Sequence, residues 1–168
     1  NSLLKILEEP KKNVYFLLIN NDKNVLDTLR SRCLNFRISL SYDKILMISN
    51  NLLKNNIFKI INKEFINYYF TPGKIYNLVK FSEEKNFDLQ NLSLKNFLMI
   101  LIDKGLYKKD TLIKNMMYDF IEIFLSKNIL ANDYAFYNYF LKKIDQTKKF
   151  NLDEESLFIE FESKVLNG

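Results

Sequence analysis

The sequence predicts a mostly α-helical protein that opens on a short α/β piece. Three glycines and two prolines in 168 residues leave little turn-forming material, which favours long helices. Ser41, Thr71, Ser93 and Asp153 each stand just ahead of apolar residues at helical spacing, where a short oxygen-bearing side chain can accept from an early helical N–H. One six-residue apolar run, Val14 to Ile19, is bounded by Asn13 and Asn20 and suits a strand covered on both faces, although periodicity alone also allows a short buried helix.

In chain order, Leu3, Leu4 and Leu7 give an opening helix its apolar face, and Pro10 ends that helix because its ring cannot continue the hydrogen-bond ladder. The strand Val14 to Ile19 follows, then a polar Asn-rich loop, a short helix carrying Thr28-Leu29-Arg30, and a second short strand over Leu34 to Ile38. Ser41 caps the next helix, whose stripe is Ile45, Leu46, Ile48, Leu52 and Leu53. A further helix is predicted over Ile57 to Tyr69, and Thr71-Pro72-Gly73 introduces a third, with Pro at the first helical position. From Phe87 onward four helices are predicted: one capped by Ser93, one with a broad stripe from Leu112 to Leu125, one marked by Tyr134 to Leu141, and one capped by Asp153. Loops are expected at Glu83 to Asp88 and Thr147 to Leu152. The units implied are 1–40, 41–86 and 87–168.

Composition excludes several kinds of chemistry. The single Cys cannot form an intrachain disulfide or supply a zinc site, which fits a reducing, cytoplasmic setting. No His is present, so thiol-protease and His-based acid/base schemes fall away. The longest apolar stretch, Phe97 to Ile102, is far short of the roughly 20 residues that cross a bilayer, and no membrane partner is expected. The first residue, Asn1, falls inside a predicted helix, so the N-terminus is expected to be a cut rather than a natural start. A formal net charge of +5 spread along the chain is weak support for nucleic-acid binding. Lys142-Lys143 and Lys148-Lys149, with Tyr137 and Tyr139 nearby, could track a phosphate backbone, yet a solvated helix face is the commoner reason for such pairs. The heavy use of Asn, Lys, Ile and Phe reads as a biased genome.

The most informative feature is an order of parts: a helix ending Glu8-Glu9-Pro10, the apolar run, the Asn-rich loop, Thr28-Leu29-Arg30, and then Ser31-Arg32-Cys33. That order resembles the clamp-loader subunits of bacterial DNA polymerase III, AAA+ proteins, and within them the δ′ (delta-prime) type. The resemblance is specific over residues 1–40, loose over 41–85, and architectural beyond. It implies the C-terminal part of an AAA+ ATPase-type domain over 1–40, a helical lid over 41–86 and a helical collar for oligomerisation over 87–168. Thr71-Pro72-Gly73-Lys74-Ile75-Tyr76-Asn77-Leu78 resembles the segment that opens the lid's last helix.

Arg32 is the leading site residue. A guanidinium is always charged and offers a planar fork of donors, so opposite a γ-phosphate it can stabilise the charge that develops in phosphoryl transfer. The resemblance gives Arg32, within the motif Ser31, Arg32 and Cys33, the role of an arginine finger acting in trans on a neighbour's ATP; the plainer reading is a salt bridge within its own domain. Arg30 is open between a local salt bridge and a phosphate contact. Cys33 reads as a small buried hydrophobe. Asn20 follows the strand where related ATPases place a residue that senses the γ-phosphate, and a loop-capping Asn is an equal reading. Glu8 and Glu9 diverge by about 100° on a helix and read as a solvated end, not as a metal or acid/base pair. Lys74 sits where motor members carry an Arg-bearing motif, and no Arg is near it.

The sequence contains no Gly-x-x-x-x-Gly-Lys-Ser/Thr loop. A phosphate site would have to be supplied upstream or by another subunit, so this segment is expected to bind no cofactor or metal itself and to have no ATPase activity of its own; the resemblance implies ATP and magnesium on the neighbouring subunit. The resemblance implies a non-hydrolysing stator in a hetero-oligomer with γ/τ motor subunits and the δ subunit, reaching the sliding clamp and primer-template DNA through the assembly during DNA replication. Two rivals stand beside it: a γ/τ-type motor ATPase, and a helical nucleic-acid-binding or scaffold module.

Overall fold

A computed structural model describes residues 6, 12–19, 26–36, 38–67, 70–128 and 134–167. The chain divides into two compact units, residues 1–39 and residues 40–168. Among the described residues there are seven α-helices and no strand, so the protein is mostly α.

In the first unit the described helix is α1, Asp27–Arg30. The expected strands at Val14–Ile19 and Leu34–Ile38 are not formed among the described residues. Tyr15, Leu17 and Ile19 are 93, 87 and 83% exposed while Val14, Phe16 and Leu18 are 44–47% exposed, so the run alternates as an extended chain does. It has no ladder, however, because a strand exists only through a neighbour's N–H and C=O groups, and the described residues of this unit supply none. Of the predicted opening helix only Ile6 is described; Glu8, Glu9 and Pro10 lie outside the described residues.

The second unit contains the remaining helices: α2 Tyr42–Leu53, α3 Pro72–Lys85, α4 Leu94–Asp103, α5 Thr111–Asn128, α6 Tyr134–Phe150 and α7 Glu154–Phe161, which continues as a π-turn over Glu162–Leu166. The predicted caps are in place. Ser41, Thr71 and Ser93 accept from the backbone N–H three residues on, and Asp153 accepts from those of Glu155 and Ser156. Helix α2 stops at Lys54 and α3 at Asn86, both left-handed. Helix α3 thus continues through much of the expected loop at 83–88, as α6 does at 147–150.

The helix expected over 57–69 is replaced by two 3₁₀ turns, Ile57–Lys59 and Lys63–Phe65. Asparagine chemistry accounts for the difference. Asn56 Oδ1 accepts from Phe58 N at 2.9 Å, Asn62 Oδ1 accepts from Glu64 N at 3.1 Å, and Asn50 Oδ1 takes the Ile57 N–H at 2.8 Å. Each offers the backbone an alternative to the helical ladder. The result is a compact strap that presents Ile57, Ile61 and Phe65 inward, all fully buried.

The segments read as lid and collar share one core. Phe65 from the strap meets Phe97 of α4 edge-on at 5.2 Å and Phe120 of α5 at 6.0 Å, and Phe97 and Phe120 meet at 5.6 Å. Phe70 adds a ring 5.8 Å from Phe120, and Phe87 one at 5.7 Å from Phe97. Polar bonds follow the same junction. Glu64 Oε2 accepts from the first N–H of α4, at Leu94, and Lys127 Nζ at the end of α5 donates to the carbonyls of Lys63 and Glu64. Burial lowers the Lys127 pKa, a cost partly offset by Glu64. Helix α5 is central: its apolar stripe from Ile113 to Leu125 is covered by the chain itself, leaving only Leu112 among its large apolar residues exposed.

Phe97→Ala is expected to cost about 3–5 kcal/mol, since it deletes a fully buried ring with three aromatic neighbours. Urea unfolding followed by helical circular dichroism measures this; a loss under about 1 kcal/mol would remove the cluster from its central place.

Acid should also weaken the fold. Hydrogen bonds hold the Asp153 carboxyl below its usual range, first from the Ser156 side chain and then from backbone N–H groups; Asn91 does the same for Asp88. A depressed folded pKa gives stability that is present above the unfolded value of 3.8 and lost as pH falls through the lower folded value. The urea midpoint is therefore expected to drop as pH falls below about 4, and Asp153→Asn, which still caps but does not titrate, should flatten that drop.

Candidate functional site

The motif Ser31-Arg32-Cys33 closes the C-terminal end of α1. A four-residue helix has no interior, so all four of its carbonyls are end groups that need donors from outside the ladder. Each has one. The Asp27 carbonyl accepts from Ser31 N at 2.9 Å and that of Leu29 from Arg32 N at 3.1 Å. The Thr28 carbonyl accepts twice, from Ser31 Oγ at 3.2 Å and from Arg32 Nη1 at 2.7 Å. The Arg30 carbonyl accepts from Asn35 Nδ2 at 3.0 Å, and the same amide donates to the Cys33 carbonyl at 3.0 Å.

Arg32 is exposed, with one guanidinium nitrogen folded back onto its own helix end, where cations are favoured by the helix dipole. Because Ser31 already serves the Thr28 carbonyl, Arg32 can leave that bond without orphaning an acceptor. Arg30, the last residue of α1, is also exposed. Cys33 is half-buried, more open than the expected small core residue. Asn20 lies outside the described residues.

Lys74 sits in the first turn of α3, where a cation opposes the helix dipole. A carboxylate answers it: Lys74 Nζ lies 2.5 Å from Asp119 Oδ2 of α5, with the Phe70 ring centroid 5.7 Å away. This pair forms one wall of a cleft of about 430 Å³ lined also by Lys114, Tyr118, Lys148 and Glu154. Lys114 pairs with Glu154 at 3.0 Å, and the Tyr118 hydroxyl donates to the same carboxylate at 3.0 Å. Burial, then Glu154, pushes the Tyr118 phenol well above its ordinary pKa. Every lysine in this cleft has a carboxylate partner, so it offers an anion no net charge.

The two lysine pairs on α6 divide in the same way. Lys143 is held by Glu160, which also takes Lys164 and the Tyr139 hydroxyl, while Lys148 lies 3.5 Å from Glu122 and over the Tyr118 ring. Lys142 and Lys149 alone among the four have no carboxylate partner among the described residues. A basic track along this helix is not what the side chains make. Among the described residues no group of three or more His, Cys, Asp or Glu could hold a metal, and no helix is long and apolar enough to cross a membrane.

Comparison with known proteins bears on the first unit most directly. A family model described as DNA polymerase III, delta subunit, matches residues 1–41. The δ′ subunit of DNA polymerase III from Buchnera aphidicola subsp. Schizaphis graminum is 34% identical over 125 residues, covering 68% of this chain and 36% of the relative. The δ′ subunit from Buchnera aphidicola subsp. Baizongia pistaciae is 63% identical over 35 residues, 20% of this chain and 10% of the relative. The chain belongs to the DNA polymerase III δ′ family. The γ subunit from the Schizaphis graminum symbiont is also similar, 41% identical over 56 residues, 32% of this chain and 15% of that protein. This chain spans about a third of the length of the first δ′ relative and less of the others. No solved structure matches it.

Two features of the site carry signals that a motif search passes over. Asn35 lies outside the tripeptide, and only its two backbone bonds mark it. All three arginines of the chain, Arg30, Arg32 and Arg37, fall within eight residues, whereas lysine supplies the other 22 cations.

The Lys74–Asp119 pair is partly exposed on both sides, so its coupling is expected to stay at or below about 1 kcal/mol. A double-mutant cycle with Lys74→Met and Asp119→Asn, read by urea unfolding, measures it. A coupling of several kcal/mol would mean that the pair is dry and central to the fold.

Proposed function

We propose that this chain is the part of a δ′-like clamp-loader subunit that lends Arg32 in trans to the ATP site of a neighbouring motor subunit. It would act as a non-hydrolysing stator in a cytoplasmic assembly with γ/τ motor subunits and the δ subunit, which loads the sliding clamp onto primer-template DNA. The observation that carries this reading is the arm itself: an exposed guanidinium just past a short helix end, inside the segment that the family model matches, whose bond to the Thr28 carbonyl is duplicated by Ser31. A planar fork presented this way suits charge that spreads over γ-phosphate oxygens.

Two further points favour a stator over a motor. Thr28-Leu29-Arg30 leads into the tripeptide as in the δ′ type, and the lid-like segment has Lys74, with no Arg near it, where motor members carry an Arg-bearing motif. That Lys74 is bound to Asp119 further weakens any role for it in sensing a nucleotide. The similarity to a γ subunit keeps the motor reading as the alternative.

Arg32→Ala in the full-length subunit should leave folding and complex assembly nearly intact, and Ser31 keeps the Thr28 carbonyl satisfied. DNA-stimulated ATPase of the reconstituted assembly should fall at one interface. An arginine finger is worth about 10³–10⁵ in rate in GTPases, and total turnover falls by less because other sites keep their own fingers. Arg32→Lys should rescue poorly, lacking the planar fork. Unaltered ATPase with lowered stability would assign Arg32 to its own domain instead.

A further inference from the structure

Asn35 stands two residues beyond the motif, and among the described residues its side chain makes the two hydrogen bonds given above, to the carbonyls of Arg30 and Cys33. Those two carbonyls flank the dipeptide Ser31-Arg32. The same amide nitrogen therefore holds the backbone on both sides of Arg32. The Arg30 carbonyl is also the one end carbonyl of α1 that no group within the helix or the motif reaches, so its only described donor is Asn35.

We infer that Asn35 is a positioning residue for Arg32: it fixes the turn from which the guanidinium projects, and so sets where the fork lies when a phosphate is presented to it. This inference rests on the trans-acting reading of Arg32. The geometry needs two N–H bonds diverging from one nitrogen, which Asn provides and Ser, Asp or Ala do not. Asn35→Asp is the sharpest change, because it keeps the shape and turns donors at 3.0 Å into acceptors facing two carbonyls. Asn35 is exposed, so neither Asp nor Ala at this position disturbs a core.

A catalytic group displaced by about 1 Å can lose on the order of 10² in rate. Asn35→Asp and Asn35→Ala in the full-length subunit, assembled into the complete complex, are therefore expected to lower DNA-stimulated kcat by a sizeable part of the fold-change that Arg32→Ala produces. KM for ATP and the melting temperature should stay near wild type, and Asp should lower kcat more than Ala. The double variant Asn35→Ala/Arg32→Ala should be no slower than Arg32→Ala alone, since a residue that works through Arg32 has nothing left to position. If Arg32→Ala lowers turnover while both Asn35 variants keep wild-type kcat, or if the two losses add, Asn35 does not position Arg32. If Arg32→Ala itself leaves turnover unchanged, the trans-acting reading falls and this inference falls with it.

Discussion

The stacking of Phe65, Phe97 and Phe120 is the constraint on which the second unit depends. These three rings come from a strap without regular helix and from the two consecutive helices α4 and α5, and each is fully buried. Edge-to-face packing adds directionality to burial, so the strap cannot slide along α4 or α5 without breaking it. The neighbouring polar bonds, Glu64 to the start of α4 and Lys127 to the strap carbonyls, have geometry only because the rings hold those elements in register. What sequence patterning divides into a lid and a collar thus has one continuous interior.

That interior also explains why α5 is so apolar. Its stripe is wider than one core-facing side needs, which by itself suggests a surface awaiting partners. In the fold the surplus is consumed internally, against the strap and α4 on one side and against α6 and α7 on another, where Phe124 meets Phe161 and Tyr118 meets Phe158. Any partner surface of this unit must be sought elsewhere. A wide stripe marks a central helix as readily as an interface.

The helices were legible in the sequence because caps act locally: a Ser, Thr or Asp one position before the helix and an apolar residue every third or fourth position behave alike in any fold. The strap was not legible. Its residues Ile57, Ile60, Ile61 and Phe65 look helical by spacing, and three asparagine side chains with backbone bonds decide against it. The apolar run at 14–19 shows the opposite limit. Its alternating exposure is that of a strand, yet a strand is a relation between segments and not a property of one. At the candidate site the motif singles out Arg32 in the sequence, while the two carbonyl bonds of Asn35 required coordinates, because an Asn after a turn is too common to single out.

The distribution of arginine sharpens the case for the 30–37 segment. Where lysine and arginine serve equally, as on a solvated helix face, a composition this rich in lysine fills the position with lysine, and residues 40–168 contain 18 lysines and no arginine. Ion pairs throughout that unit are lysine pairs, from Lys74–Asp119 to Lys164–Glu160. Arginine should then persist where a flexible point charge does not suffice, at bidentate or planar recognition of carboxylate or phosphate. All three forks lie around Ser31-Arg32-Cys33, at positions 30, 32 and 37, and this clustering supports the proposed role of the segment in meeting an oxyanion.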